Sequence, residues 1–375
     1  MRNTAIIFNH EKVSGQGEDA NPLHIGLGGD CGFIATFDGM GGAGAERFDN
    51  NVTGAKLAAA LARETVNKVW AEVQETLQRR NKAPPHGLDA PPTLIDEQTH
   101  AINQDALGAD VDPPDDQQHS EILKDVTGSH IASKLDSAFT KRALELPDTS
   151  RLKSKSIRKL PTTFAGAYYR TNGNQIEGRT YWAGDSRVYF MSPHSLHLLT
   201  IDHSKTAASS NDPYASFDSP LTNFISENTH NAVQTYDFRF TSPGFLFSCT
   251  DGVYAYLPHL VYLEHYILRH YFFGEKLLEP IARFCQDDAS IALVPLGMSE
   301  SRQLPSSFNS GTNIPTAAWS KRLRGLAGAV DGFEYVARER ARTRGKLEEL
   351  DNEEVQLRKT VTKEYAHVVH PDQKP

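Results

Sequence analysis

The alternation of apolar and polar positions along the chain predicts a series of short β-strands. Short apolar or alternating runs, each bounded by Gly, Asp, Asn or Pro, are typical of strands. They cover residues 33–37, 164–170, 178–183, 187–191, 195–200, 233–240, 244–249 and 290–295. The sequence Asn172-Gly173-Asn174 indicates a tight turn. The spacing of the middle runs therefore predicts antiparallel hairpins.

Other stretches carry apolar residues at helical spacing. They cover residues 52–80, 120–146, 262–273 and 275–285. In the second stretch Ile122, Leu135 and Phe139 fall along one side, as a period of 3.6 residues requires. Strands and helices come in separate groups rather than in alternation, so the order predicts an α+β fold with antiparallel sheets.

Two polar segments divide the chain. Residues 82–118 are rich in Pro, Asp and Gln, which predicts a long loop inserted between helices. Residues 299–315 are rich in Ser, Asn and Pro and indicate a linker. Residues 338–354 mix both signs of charge densely, as a solvated helix does. We therefore expect one domain over residues 1–298, followed by a linker and a charged, helical tail over residues 299–375.

The composition excludes some classes of protein. The chain has 375 residues and a formal net charge of −8, and it lacks a Lys/Arg-rich block, which argues against nucleic acid as a partner. Its three cysteines, Cys31, Cys249 and Cys285, are far apart and indicate a reducing compartment. The most apolar stretch, residues 254–273, contains Glu264 and Arg269 and predicts an amphipathic helix rather than a membrane span. A cytoplasmic protein is expected.

Acidic residues recur where the predicted strands begin or end. They are Glu18 and Asp19, Asp38, Asp251, and Asp287 with its neighbour Asp288. Each Asp-Gly taken singly indicates a turn, since this dipeptide is common there. Several carboxylates converging at one place would repel one another unless cations lay between them. Hard oxygen ligands of this kind suit Mg²⁺ or Mn²⁺.

The combination of these segments resembles the metal-dependent protein phosphatases of the 2C type. Residues 37–42 (FDGMGG) are similar to the first metal motif of that family, and Met40 matches its bacterial members. Further segments follow in the family's order at residues 161–167, 183–187, 199–204, 247–252 and 287–290. The resemblance covers residues 6–294. It implies a four-layer αββα sandwich, in which two antiparallel β-sheets are flanked by helices.

The resemblance also implies a site for two divalent cations, manganese or magnesium. Asp38 would bridge both ions, and Gly39 would offer its carbonyl to one of them. Asp251 and Asp287 would complete the shell of the other. Glu18 and Asp19 match an acidic pair that acts through metal-bound water. Asp185 matches a ligand of a third ion, although an organising role in its hairpin together with Arg187 is favoured.

The implied activity is hydrolysis of phosphoserine and phosphothreonine on proteins by a metal-activated water. Ser14 stands where the family often has a phosphate-binding Arg, which leaves Lys12 or Arg47 as candidates. Ala255 replaces the second ligand of a third ion. The alternative is a catalytically weak, phosphatase-like module that binds phosphoproteins or a partner kinase. In a third reading, the tail helix docks a kinase or another partner.

Overall fold

We describe a computed structural model of the chain. It describes residues 5–28, 31–42, 44–48, 51–82, 116–147, 158–173, 175–205, 220–227, 230–255, 260–273, 285–297 and 317–369. The chain divides into two compact units, Met1–Arg322 and Leu323–Pro375. The predicted helix at residues 275–285, apart from Cys285, lies outside the described residues. Most of the predicted loop and linker segments lie outside them as well.

The first unit consists of strands and helices in separate groups. Its strands are β1 (Ile6–His10), β2 (Ala20–Gly28), β3 (Cys31–Gly39), β4 (Arg47–Phe48), β5 (Val52–Thr53), β6 (Thr162–Asn172), β7 (Gln175–Ala183), β8 (Arg187–Met191), β9 (Leu196–Leu198), β10 (Gln234–Phe240), β11 (Gly244–Cys249) and β12 (Ala289–Leu296). The helices among the described residues are α1 (Gly54–Lys82), α2 (Asp116–Asp125), α3 (Gly128–Glu145), α4 (Asp251–Tyr254), α5 (Leu260–Phe273) and α6 (Ala317–Val369).

The larger strands form two five-stranded antiparallel sheets. One has the order β1-β12-β11-β8-β9, and the other has the order β10-β7-β6-β3-β2. The two sheets pack face to face through alternate residues of each strand, among them Leu246 of β11 and Ala165 of β6. The hydroxyl groups of Thr36 and Ser248 meet across this interface at 2.6 Å. The contact pins one sheet to the other near the ends of β3 and β11.

Helices cover the outer faces of both sheets. Trp70 of α1 stacks on Phe33 of β3 with ring centroids 4.4 Å apart. On the other sheet, Phe245 of β11 lies in edge contact with Tyr271 of α5 and with Trp319 of α6, at 4.9 and 5.3 Å. Aromatic side chains of this size bury large apolar areas and fix the helices to the sheets. The predicted α+β fold with a four-layer αββα sandwich is confirmed.

The predicted helix at residues 120–146 is wrong in its continuity. The chain forms two helices there, because Thr127 caps the second one: its hydroxyl accepts a hydrogen bond of 3.1 Å from the backbone N–H of His130. An N-cap residue has extended backbone angles, so it interrupts the preceding helix. Strands β1 and β2 were not among the predicted strands. Val52 and Thr53, predicted as helix, form β5 before α1 begins at Gly54.

The last helix, α6, begins within the first unit. Trp319 is 2% exposed, and the guanidinium of Arg322 forms a salt bridge with the buried carboxylate of Glu264 in α5. Both residues lie beyond the expected domain end at residue 298, and Trp319 packs on Phe245 of β11. In the part of the chain that the structure describes, no helix combines the length and apolar character that a membrane crossing requires.

Candidate active site

One end of the sandwich collects the acidic residues that the sequence singles out. Strands β3, β7 and β11 end there, and β2, β8 and β12 begin there, because antiparallel neighbours run in opposite directions. Asp38 is the second-to-last residue of β3, and Asp251 is the first residue of α4, just after β11. Asp185 lies between β7 and β8, Asp19 precedes β2, and Asp287 precedes β12. The fold thus brings together residues that are far apart in sequence.

Asp38 is held by the ladder between β3 and β6. It lies opposite Thr163, and the hydroxyl of Thr162 donates a hydrogen bond of 2.6 Å to its backbone carbonyl. Its carboxyl group hydrogen-bonds the carboxyl group of Asp19. Two carboxylates repel each other, so this contact requires a proton or a cation between them. Asp38 remains partly exposed, which leaves it open to a ligand from solvent.

Thr250 connects the two sheets beside this carboxyl pair. Its hydroxyl donates to Oδ2 of Asp19 at 3.0 Å and accepts from the backbone N–H of Ser290 at 2.9 Å. Asp251 follows directly and is also partly exposed. The hydrogen bonds of Thr250 therefore fix Asp19 in orientation and Asp251 in position at the end of β11.

Burial and mutual repulsion raise the pKa values of the central aspartates. Burial and then the charge of Asp251 raise the pKa of Asp38 well above its usual range. Burial, followed by the charge of Asp185, raises the pKa of Asp251 to about 8. Burial raises the pKa of Asp19 to about 7, and burial with the charge of Asp202 raises that of Asp185 to about 6. These carboxyl groups are therefore within electrostatic reach of one another in a poorly solvated place.

A second group of acidic residues forms the rim of this cluster. The carboxylate of Asp288 accepts hydrogen bonds from the backbone N–H groups of Lys12 and Glu18, at 2.9 and 2.6 Å. Burial, together with the nearby charges of Asp288 and Asp287, raises the pKa of Glu18. Asp287 is exposed, and its charge reaches Asp251. Asp288 thus fastens the segment before β2, while Asp287 faces solvent at the edge of the cluster.

Gly39 and Gly252 lie where two backbones approach too closely for any side chain. A Cβ atom on Gly39 would lie 2.5 Å from the carbonyl oxygen of Glu18. A Cβ atom on Gly252 would lie 1.8 Å from the carbonyl oxygen of Asp288. Each glycine follows a central aspartate, so these close approaches set the distance between the cluster and its rim. A metal-binding role for the carbonyl of Gly39 stays a prediction.

The hairpin after β7 is organised by Arg187, whose carboxylate partner is Asp202. The guanidinium donates two hydrogen bonds to the carboxylate of Asp202, at 2.9 and 2.7 Å. It also lies 3.9 Å over the ring of Tyr254, whose hydroxyl donates to the backbone carbonyl of Asp185 at 2.9 Å. Asp202 is the carboxylate that pairs with Arg187, and an organising role of Asp185 in the hairpin stays a prediction. The charge of Asp185 also acts on Asp38 and Asp251.

The candidate phosphate-binding cations lie near the rim. Arg47 donates from Nη1 to the backbone carbonyl of Asn51 at 2.8 Å, and its charge acts on Glu18. Lys12 contributes its backbone N–H to the carboxylate of Asp288. These contacts place both residues beside the acidic cluster. Their binding of phosphate stays a prediction.

The donor set fits hard divalent cations in its chemistry. Within the described ranges, no three His, Cys, Asp or Glu side chains stand together as a ready-made coordination shell. The cluster nevertheless supplies carboxylate oxygens from Asp38, Asp251 and Asp19, the ligand type that Mg²⁺ and Mn²⁺ prefer. Their raised pKa values show that the ionised forms lack sufficient compensation from the protein itself. Positive charge between them would offset this repulsion.

Some features of the cluster were not indicated by the sequence. The water-mediated role of Asp19 stays a prediction; its side chain is 7% exposed and lies beside Asp38. Sequence reasoning named Asp288 only as the neighbour of Asp287 and gave Thr250 no role. In the structure Asp288 accepts hydrogen bonds from the backbone of Lys12 and Glu18, and Thr250 donates to the carboxylate of Asp19. The position of Thr250, between a predicted strand and Asp251, was the only signal available for it. Nothing local in the sequence indicates that Asp288 would reach the segment before β2.

Comparisons with known proteins were made with both sequence and structure. No family model matches the chain, and no curated protein matches it in sequence. A serine/threonine phosphatase from S. agalactiae is similar in structure, with 14% identity, a TM-score of 0.44, and coverage of 79% of this chain and 100% of the other. The serine/threonine phosphatase PstP/Ppp of Mycobacterium tuberculosis has 13% identity, a TM-score of 0.42, and coverage of 79% and 98%. Stp1 from Staphylococcus aureus has 15% identity, a TM-score of 0.40, and coverage of 79% and 96%.

Proposed function

We propose that this chain is a divalent-cation-dependent protein phosphatase that hydrolyses phosphoserine and phosphothreonine. The observation that carries the proposal is the convergence of Asp19, Asp38, Asp185 and Asp251 at one end of the sandwich, with raised pKa values. A rigid scaffold that holds repelling carboxylates together, partly open to solvent, indicates a functional site, because strongly perturbed pKa values cluster at such sites. Bound cations would offset the repulsion. The motif order along the chain supports the choice of phosphate ester as substrate.

Asp38, Asp251 and Asp287, the carbonyl of Gly39, and the acidic pair Glu18 and Asp19 are the proposed ligands of two manganese or magnesium ions. When bound, such ions activate water as a nucleophile and neutralise charge on a phosphoryl group. The charge of Asp185 acts on Asp38 and Asp251, so its carboxylate lies near this set. Ala255, however, supplies no carboxylate for a third ion. We therefore propose two ions rather than three.

The protein's own residues position this chemistry. The hydroxyl of Thr162 fixes the backbone of Asp38 by donating a hydrogen bond of 2.6 Å to its carbonyl oxygen. Thr250 directs Oδ2 of Asp19 by donating to it at 3.0 Å. Asp38 and Asp251 keep part of their surface open, so a phosphate group can approach them from solvent. Arg47, at the rim, is a proposed anchor for the negative charge of the substrate.

The cysteines are poor candidates for a nucleophile of their own. Cys31 and Cys249 are 3% and 0% exposed, and burial raises the pKa of the Cys249 thiol. Burial also raises the pKa of Cys285. A thiol needs a lowered pKa to attack phosphorus at neutral pH. Direct attack by water is therefore the mechanism that these residues favour.

The proposed substrate is a phosphorylated protein, and a serine/threonine kinase is the proposed source of that phosphate. Both are expected in the cytoplasm. Magnesium and manganese share ligand preferences, so the same site accommodates either ion. Neither nucleic acid nor a membrane is needed for this activity.

Purified full-length protein is expected to hydrolyse a phosphothreonine peptide when Mn²⁺ is present, and EDTA is expected to abolish that turnover. Phosphate release measured with and without metal tests this. p-Nitrophenyl phosphate serves as a second substrate that needs no peptide recognition. Because the carboxylates alone have no Lewis acidity, the residual rate in EDTA should approach that of the buffer.

The same assay separates the proposal from its alternative. A binding module without turnover would retain the phosphopeptide in a binding measurement with Mn²⁺ but release no phosphate. Equal turnover in Mn²⁺ and in EDTA would contradict the cation-dependent mechanism. Activity on p-nitrophenyl phosphate without activity on any phosphopeptide would contradict the protein-phosphatase assignment.

A further inference from the structure

The middle of helix α6 is exposed around its whole circumference. Every residue from 331 to 360 is exposed, over about 45 Å of helix at a rise of 1.5 Å per residue. A single helix with this degree of exposure is marginally stable in water, because most helical stability in proteins comes from packing. This stretch therefore has the length and the surface to accept a partner helix.

A stripe of regularly spaced positions runs along this helix. Its members, at alternating steps of three and four, are residues 333, 336, 340, 343, 347, 350, 354 and 357. Such spacing is the seam of a two-stranded coiled coil. The apolar members include Leu347, Leu350 and Leu357, whose exposed fractions are 56%, 60% and 65%. The stripe is therefore an apolar surface open to solvent, interrupted by polar Arg340, Thr343 and Glu354.

Residues 338–354 mix both signs of charge overall but carry a basic block followed by an acidic block, so the expectation that the chain lacks a Lys/Arg-rich block is wrong for this helix. The basic block contains Arg340, Arg342, Arg344 and Lys346, whereas Arg338, next to Glu339, lies on the face of the helix opposite the stripe. The acidic block contains Glu348, Glu349, Asp351, Glu353 and Glu354. Within the basic block several cations lie four residues apart, an arrangement that destabilises a single helix. A partner of opposite charge at each block would relieve this repulsion.

We infer that this stripe pairs with the same stripe of a second copy of the chain, in an antiparallel coiled coil. In that arrangement Leu347 of one copy packs on Leu350 of the other. The basic block of each copy then faces the acidic block of its partner, so that Arg344 and Lys346 lie opposite Asp351 and Glu353. The helix is thus complementary to itself in both apolar and charged positions.

The polar members of the stripe determine the direction of pairing. The charged residues that flank the stripe find residues of opposite charge on the partner in both the parallel and the antiparallel pair, so they do not distinguish the two directions. A parallel pair would place Arg340 against Arg340 and Glu354 against Glu354 in the seam, which is repulsive. An antiparallel pair brings Arg340 of one copy within one helical turn of Glu354 of the other. Opposite charges in these positions favour the antiparallel pair.

Charge reversal in the full-length protein tests this pairing. Sedimentation velocity over a concentration series is expected to show a dimer for the unchanged chain. Arg340→Glu and Glu354→Arg, each alone, should raise the dimer dissociation constant by about tenfold or more, because each places like charges together. An equimolar mixture of the two variants should recover association. The double variant Arg340→Glu/Glu354→Arg should recover it as well.

Arg338→Glu is the matched control, since it makes the same charge change off the stripe. It should leave the dissociation constant within about twofold of the unchanged chain. A monomer at every concentration up to about 100 µM would overturn the inference, and a heterotypic helix would then be the partner. Failure of the mixture to recover association, or equal loss in the control, would also overturn it.

Discussion

The Asp38→Asn variant is expected to lose about 10³-fold or more in kcat/KM for phosphopeptide hydrolysis, since a metal site supplies several kcal/mol of transition-state stabilisation. Asn has the shape of Asp but no negative charge, so the proposed ligand that bridges both cations is lost. Steady-state kinetics at saturating Mn²⁺ measure the effect. Thr162 binds the backbone of residue 38, so the local fold is retained.

The same variant is expected to be more stable than the unchanged protein in EDTA. Burial and the charge of Asp251 raise the pKa of Asp38, which means that its ionised form is disfavoured by folding. Replacing it with a neutral group removes that cost at neutral pH. Thermal unfolding in EDTA should therefore show a higher Tm, while Mn²⁺ should raise the Tm of the unchanged protein and much less that of the variant.

Asp237→Asn is the matched control for this substitution. Asp237 lies in β10, away from the cluster, and its side chain is 60% exposed in a salt bridge with Arg179. Arg179 is 17% exposed and keeps its hydrogen bond to the backbone carbonyl of Leu123, and Asn retains an acceptor oxygen for it. Activity should therefore stay close to that of the unchanged protein, and the Tm should fall by a few degrees at most. Retained activity in Asp38→Asn would contradict the proposed role of Asp38.

The Arg187→Ala variant is expected to lose about 3–5 kcal/mol of unfolding free energy, as when one partner of a buried ion pair is removed. Arg187 and Asp202 are 1% and 6% exposed, so the carboxylate of Asp202 would remain buried without its guanidinium. The cation over the ring of Tyr254 and the hydrogen bond of 3.0 Å to the hydroxyl of Tyr189 would be lost too. Urea unfolding in EDTA measures the change.

Lys68→Ala provides the comparison for this prediction. Lys68 pairs with Glu64 at 2.6 Å, but both side chains are more than half exposed, at 67% and 60%. Its loss should cost about 0.5 kcal/mol or less, as helix surface pairs do. If Arg187→Ala lowers the unfolding free energy by less than about 1 kcal/mol, the prediction that the buried pair with Asp202 stabilises the fold is contradicted.

Most of the sheet structure could be predicted from the sequence, since the strands leave a local signal. Residues 187–191 and 244–249 were predicted with the bounds of β8 and β11, because turns of Gly, Asp or Pro flank compact apolar runs. Strand β2 was missed because Asn21, Pro22 and Gly26 break the apolar pattern, although the ladder with β3 still forms around a bulge. The break at Thr127 was missed because apolar spacing continues on both sides of it.

The candidate site could be predicted only in part. Asp38, Asp251 and Asp185 could be named as candidates because each lies at or just after the end of a strand with a recognisable motif, and the fold places all three at one end of the sandwich. The carboxylate partner of Arg187 could not be predicted, because Asp202 lies 15 positions further along the chain and reaches the arginine only in the fold. Contacts such as that of Asp288 with the backbone of Glu18 join residues 270 positions apart, and no local pattern encodes them. The sequence therefore identifies acidic candidates, and the fold determines which of them meet.

Diffraction from crystals soaked in Mn²⁺, collected at the manganese absorption edge, tests the central claim most directly. The account predicts two anomalous peaks at the end of the sandwich, with oxygens of Asp38 and Asp251 at about 2.1 Å from the ions. Peaks confined to other acidic surfaces, such as the Glu348–Glu354 part of α6, or no peak beside Asp38, would contradict it.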